Sequence, residues 1–155
     1  MMVTKNKVIE DIYKNFPENK YLLSGKRLYA SEASVSEVKF YYKKIWKEVL
    51  EKKENIHGSD LSFLTPEALA YYLPSFMIYC IIAPSEADNL LDDLLSLLLN
   101  LCNNLEIYVW KEKRRQLFLN FLSKEQKDTI ELYIAYMFQE YPEDFLFLLQ
   151  LRSKK

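Results

Sequence analysis

The segment spanning residues 64–76, LTPEALAYYLPSF, constrains the fold more than any other part of the chain. Thr65 can cap a helix, and Pro66 suits the first helical position because its missing N–H leaves no bond unmade there. Glu67 places a negative charge in the first turn, where the helix dipole favours it. These three residues together predict that a helix starts at this point.

A proline then interrupts the same helix. Pro74 has no N–H to donate to the carbonyl of Ala70, and its ring crowds that carbonyl, so we expect a kink. The pattern predicts that the helix resumes through Ile82 and ends at Pro84. Its predicted core residues are Leu69, Tyr72, Leu73, Phe76 and Met77.

Turn-forming residues are scarce throughout the chain. Only 2 glycines and 5 prolines occur among 155 residues, half of which are hydrophobic, and a many-stranded β protein needs more turns than these allow. No stretch is predicted to be a strand. The fold class predicted is therefore all-α, as a single domain over residues 1–155 with about six or seven helices and one proline-kinked central helix.

Helical spacing predicts two helices before the central one. The first covers residues 4–16, and the second starts at Ser34 or Ser36 and runs to about residue 52. The second helix has one wide apolar face and a lysine-rich opposite face. Between them, residues 18–34 are predicted to be irregular.

Four more helices are predicted after Pro84. Residues 88–100 form a leucine-dense helix that ends in a break at residues 102–104, and residues 105–121 form an amphipathic helix on which residues 111–115 are exposed. Ser123 and Gln126 form a capping box that starts the next helix. A last short helix covers residues 142–151, and the tail at residues 152–155 is expected to fray.

The residue types that carry most enzyme chemistry are sparse. His57 is the only histidine, and Cys80 and Cys102 lie in apolar runs typical of buried, reduced thiols. Gly25 and Gly58 are too few for a glycine-rich phosphate loop. We therefore predict no catalytic residue, no metal site and no cofactor.

Two charged clusters qualify as binding surfaces. Residues 111–115 are mostly basic and follow two aromatic residues, but Glu112 interrupts the charge and the formal net charge of the chain is −1, so no nucleic-acid partner is predicted. The acidic cluster can be explained as charge at a helix start, or as a docking surface for a basic partner. The candidate partner-binding residues are Glu86, Asp88, Asp92 and Asp93.

One uncharged segment, residues 68–85, approaches the length needed to span a bilayer. Its tyrosines and prolines, and the lack of a flanking basic cluster, favour a core helix over membrane insertion. The N-terminus has no apolar signal core. A cytoplasmic location is expected.

The residues LTPEA at 64–68 and YYLP at 71–74 resemble the signature segment of a family of small, uncharacterised bacterial proteins. Weaker similarity at Trp46 and at FLSKEQ (121–126) extends the resemblance over residues 46–138, although Leu69 and Ala70 depart from the family pattern. The resemblance implies a small bacterial helical protein and no particular reaction.

The leading hypothesis for function is a non-enzymatic protein-binding module. More specifically, we expect an immunity or antitoxin-like protein that neutralises one cognate toxin by direct binding, with acidic and tyrosine side chains as anchors. A homo-oligomeric scaffold, in which a homodimer buries part of the leucine-dense helix, is one alternative. An enzyme with an unrecognised site is the other.

Overall fold

The computed structural model describes residues 2–18, 27–29, 35–87, 89–103 and 112–143. These residues contain nine α-helices and no strand, which confirms the all-α prediction. Five of the helices have nine or more residues; the short ones raise the number above the six or seven predicted. In chain order the helices are α1 (Lys5–Asn15), α2 (Val35–Val38), α3 (Trp46–Glu51), α4 (Asp60–Phe63), α5 (Pro66–Ile82), α6 (Pro84–Ala87), α7 (Asn89–Asn103), α8 (Glu112–Asn120) and α9 (Lys124–Glu140).

Helix α5 is the central element of the fold. Its start is the predicted one: the Thr65 side chain accepts a hydrogen bond from the N–H of Ala68 at 3.0 Å, and Pro66 takes the first helical position. Pro74 lies inside the helix, which continues to Ile82 as predicted. Thirteen of its 17 residues are buried, because α1, α3, α6, α7 and α8 all pack against it.

The predicted second helix is wrong as one continuous element. The chain forms α2, then a 3₁₀ turn over Lys39–Tyr41, and only then α3. Side chains of α5 explain the break. The Tyr72 hydroxyl lies 2.9 Å from the carbonyl oxygen of Tyr41 and 2.7 Å from that of Lys44, and Ser75 donates to the carbonyl of Trp46 at 2.6 Å. Polar groups of α5 thus bond to carbonyls that a continuous helix would have used internally.

The first and last long helices pack side by side. Thr4 caps α1 as predicted, and the predicted capping box of α9 is present at Ser123 and Gln126. The Gln139 side chain bonds to both the N–H and the C=O of Val3, at 3.0 and 2.9 Å. These contacts join the two ends of the described chain across one shared hydrophobic core.

One predicted boundary around α7 is corrected, whereas the predicted end of α5 before Pro84 is confirmed. Pro84 opens the short helix α6, because proline suits a first helical position; α5 already ends at its C-cap, Ala83. Helix α7 continues to Asn103, so the break predicted over residues 102–104 does not begin at 102. Its leucines at 90, 91, 94, 95, 97, 98 and 99 are all buried.

Several predictions fall wholly or partly on residues outside the described ranges. They concern most of the irregular segment 18–34, the first half of the helix predicted at 105–121, most of the helix predicted at 142–151, and the tail. Within the described ranges, none of the helices has the length and apolar character needed to cross a bilayer.

Candidate functional site

The acidic surface predicted from sequence lies on α6 and α7. Glu86 is exposed on α6, and Asp92 and Asp93 are exposed in the first part of α7, while Asp88 lies outside the described residues. Ala87, Leu90 and the leucines that follow are buried beneath them. These carboxylates are therefore displayed by helices fastened to the core.

The start of α7 packs closely against the loop before α4, which carries Gly58. A Cβ atom added to Gly58 would lie 2.8 Å from Oδ2 of Asp93 and 3.3 Å from the backbone nitrogen of Leu90. Both distances are shorter than ordinary van der Waals contact. Glycine at position 58 is what allows the Asp93 carboxylate to pack on this loop, a role that the sequence did not reveal.

Electrostatic repulsion is present at this surface. Partial burial raises the pKa of Asp93, and the neighbouring negative charge of Asp92 raises it further. The charge of Asp92 therefore disfavours ionisation of Asp93. A cationic side chain placed between them would relieve that repulsion, and this is the chemistry by which the acidic surface could bind a basic partner.

A buried carboxylate beneath the same loop was missed. Asp60 is 2% exposed; its Oδ2 accepts hydrogen bonds from the hydroxyl of Tyr41 at 2.6 Å and from the N–H of His57 at 2.9 Å. Burial raises the pKa of Asp60, whereas the two hydrogen bonds act in the opposite direction. The group links the 3₁₀ turn to the loop that carries Gly58. A lone aspartate beginning the short apolar run DLSFL was the only signal for it in the sequence.

Arg114 corrects the prediction that residues 111–115 are all exposed. Its Nη2 atom donates to the carbonyl oxygens of Leu64, Ser62 and Leu61, at 2.7, 3.2 and 3.3 Å. Burial lowers the pKa of the guanidinium group. Because Arg114 bonds to the last carbonyls of α4, its guanidinium group stabilises the fold. The basic run at residues 111–115 is therefore less suited to bind a partner.

The opening of α5 also holds a distant segment. Thr65 donates its backbone N–H to the carbonyl of Leu28 at 3.1 Å and its hydroxyl to that of Arg27 at 2.5 Å. The Arg27 guanidinium forms a two-bond ion pair with Glu67. The LTPE sequence therefore has two structural roles: it starts α5, and it binds residues 27–29.

Cys80 is a buried free thiol, as predicted, and burial raises its pKa to about 12. It lies beside Tyr133, whose buried hydroxyl makes no hydrogen bond of ordinary geometry among the described residues. A thiol with such a high pKa is a poor nucleophile. The side chain of Cys102 is outside the described part of the chain.

No group of three or more His, Cys, Asp and Glu side chains in the described ranges could hold a metal ion. The arrangement offers charged surfaces on a packed core, and its buried polar groups are bonded chiefly to backbone atoms of the same fold.

A family model described as "Family of unknown function (DUF6714)" matches residues 23–147, a range that contains the LTPEA and YYLP sequences. Neither the curated proteins nor the solved structures gave a match.

Proposed function

The chain belongs to the family of unknown function DUF6714, and we propose that it is a non-enzymatic protein-binding module of the immunity or antitoxin type. In this proposal it acts in the cytoplasm of a bacterium and neutralises a cognate toxin by direct binding. The toxin would carry a basic surface, often found where a protein acts on nucleic acid or another anionic substrate.

The observation that carries the proposal is the acidic surface of Glu86, Asp92 and Asp93. These side chains are exposed, yet the helices beneath them are anchored by buried leucines and by the contact between Asp93 and Gly58. A surface that is already ordered loses little conformational entropy on binding. Negative charge on such a surface would also accelerate encounter with a basic partner.

The raised pKa of Asp93 supports the same proposal. Asp92 and Asp93 repel each other in the unbound chain, and a lysine or arginine from the partner would remove that repulsion. The complex should therefore weaken as salt is added, and also as the pH falls and Asp93 becomes protonated.

The test begins by capturing the tagged full-length chain from its native cells and co-expressing it with the product of the adjacent reading frame. Affinity for the captured protein is then measured by calorimetry for the E86Q/D92N/D93N variant. We expect a loss of about tenfold or more and a weaker salt dependence.

The matched control removes three exposed acidic charges elsewhere, in the variant E10Q/D128N/E131Q. Its affinity should stay within about threefold of the unmodified chain, since distant surface charges contribute little. Equal losses in both variants, or capture that yields no toxin-like partner, would contradict the proposal.

A homo-oligomeric scaffold is the second candidate, although not through the leucine-dense helix, whose leucines at 90–99 are buried within the chain. The observation that favours it is the pair Leu117 and Phe121, 43% and 48% exposed and four residues apart. Light scattering at micromolar concentration decides this point: a strict monomer would eliminate the scaffold.

A further inference from the structure

Three lysines contact aromatic rings on residues that the acidic surface does not include. The three lysines lie close together in sequence, within residues 43–47 at the break between α2 and α3 and the start of α3, and the Tyr13 ring of α1 contacts the last of them, which defines the exposed side of this stretch. We call it the lysine–aromatic surface, and its members are Tyr13, Phe40, Tyr42, Lys43, Lys44 and Lys47.

The break between α2 and α3 creates this surface. Lys43 occupies the left-handed region of backbone space, with φ 56°, which is uncommon for a residue other than glycine. The turn exposes Lys43 and leaves Tyr42 47% exposed, while Tyr13 on α1 is 44% exposed. A continuous helix would have distributed the same side chains differently.

Each lysine of the surface lies over an aromatic ring. The Nζ atoms of Lys43 and Lys44 are 5.3 and 5.0 Å from the ring centroids of Tyr42 and Phe40. Lys47 Nζ is 5.2 Å from the centroid of Tyr13 and also forms an exposed ion pair with Glu18. Such contacts limit the freedom of long side chains, so pairing with an anion costs less entropy.

The side chains favour carboxylates over nucleic-acid bases. The Tyr13 ring already contacts the Lys47 ammonium and the Trp46 ring, whose centroid is 5.3 Å away. Base stacking needs free ring faces, and phosphate backbones are attracted by a broad basic field that a chain of net charge −1 lacks. An ammonium group, in contrast, pairs with a single carboxylate at short range.

We propose that the lysine–aromatic surface docks an acidic segment of a partner protein. Carboxylates of that segment pair with Lys43 and Lys44 and displace Glu18 from Lys47, and the exposed rings of Tyr13 and Tyr42 cover its apolar atoms. Lys44 also donates to the carbonyl of Phe40 at 2.6 Å, which holds its ammonium near the turn. This site goes beyond the proposed function, since it shares no residue with the acidic surface and has the opposite charge.

The test measures fluorescence anisotropy of a labelled oligoglutamate peptide of about ten residues, titrated with the full chain at about 50 and 200 mM salt. A thymidine oligonucleotide of equal length is the competing probe. We expect the peptide to bind, salt to weaken it, and the K43Q/K44Q/K47Q variant to lose about tenfold in affinity.

The matched control is K113Q/K124Q/K127Q, which removes three exposed lysines of α8 and α9. It should lose less than about threefold, and Y42L should lose about threefold without any change in charge. Circular dichroism of every variant checks folding.

Four outcomes would overturn the proposal. They are equal losses in the two lysine variants, tighter binding of the oligonucleotide than of the peptide, no peptide binding up to about 1 mM, and a change of oligomeric state in the K43Q/K44Q/K47Q variant. The first would indicate nonspecific charge, and the last would indicate that the surface binds a second copy of the chain. None of these measurements depends on Glu86, Asp92 or Asp93, so the two proposals can fail independently.

Discussion

Helix α5 and the segment from α2 to α3 differ in how they respond to the same kind of sequence pattern. Both have an apolar helical spacing and a polar residue suited to start a helix. Helix α5 forms as one element of 17 residues despite Pro74, whereas the segment over residues 35–51 breaks although it contains no proline and no glycine. Local helix signals therefore do not predict which helix stays intact.

The difference lies in which element supplies hydrogen bonds to the other. Thr65 and Pro66 satisfy the start of α5 locally, and burial on all sides holds the rest. Tyr72 and Ser75 then extend from α5 and bond to carbonyls of Tyr41, Lys44 and Trp46. The central helix thus shapes its neighbour, and this asymmetry can be tested by mutation.

Trp46 should give the largest effect. It is 1% exposed, its Nε1–H donates to the carbonyl of Phe16 at 3.1 Å, and its ring packs on Tyr13. Trp46→Ala should lower the free energy of unfolding by about 3–5 kcal/mol, measured by urea denaturation. A loss below about 1 kcal/mol would show that α3 is not held by tertiary contacts.

Tyr72→Phe tests the break directly. Removing the hydroxyl leaves the carbonyls of Tyr41 and Lys44 without that donor, so we expect a loss of about 1–3 kcal/mol in the same assay. Tyr42→Phe is the matched control, because Tyr42 is exposed, and it should change stability by less than about 0.5 kcal/mol. Similar values for the two variants would mean that the hydroxyl does not maintain the break.

The start of α5 gives the next test. Thr65→Ala should cost about 1 kcal/mol as a lost N-cap, and somewhat more than Ser123→Ala, since Thr65 also donates to the carbonyl of Arg27. Thr65→Ser keeps the hydroxyl and should recover most of the loss in thermal unfolding. A smaller loss for Thr65→Ala than for Ser123→Ala would argue that the contact with Arg27 contributes nothing.

Lys43→Gly should stabilise the chain. A φ of 56° costs a residue with a side chain about 1–2 kcal/mol, and glycine avoids this cost. Glycine loses more backbone entropy on folding, about 0.5–1 kcal/mol, which offsets part of the gain. The net gain should be below about 1 kcal/mol by calorimetry. Lys44→Gly is the control and should destabilise; a gain from both substitutions would contradict the assignment of strain to position 43.

Substitution of Asp60 should give the smallest effect, a change only in how the stability depends on pH. Because burial raises its folded-state pKa, its contribution to stability is fully present below the unfolded pKa of about 4 and is lost as the pH rises through the folded pKa. Asp60→Asn keeps an oxygen that can accept from Tyr41 and His57. The free energy of unfolding, measured by denaturation from pH 4 upward, should therefore fall less steeply with pH in this variant. An unchanged slope would rule out Asp60 as the cause of this pH dependence.

Sequence reasoning recovered the features that depend on near neighbours along the chain. The caps at Thr4, Thr65 and Ser123 lie where their patterns predicted, and so do the buried leucines of α7 and the buried Cys80. In the candidate site, Glu86, Asp92 and Asp93 are exposed as a docking surface requires. Their role in binding stays a prediction.

What sequence reasoning missed depends on residues far apart in the chain. Arg114 bonds to carbonyls of Leu61, Ser62 and Leu64, some fifty positions earlier, and Asp93 packs against Gly58. No periodicity marks such pairs, because a charged residue on a helix looks the same whether it meets water or a distant carbonyl.

By itself, the sequence determined the fold class, the starts of α1, α5 and α9 and most of the core, since caps and apolar spacing act within a turn or two of helix. Only the tertiary structure decided where the second predicted helix breaks, which aromatic rings the lysines at that break contact, and which arginine bonds to carbonyls of α4. The physical reason is that a backbone carbonyl accepts from whichever donor reaches it. For residues 41–46 those donors include Tyr72 and Ser75, carried there by the packing of α5.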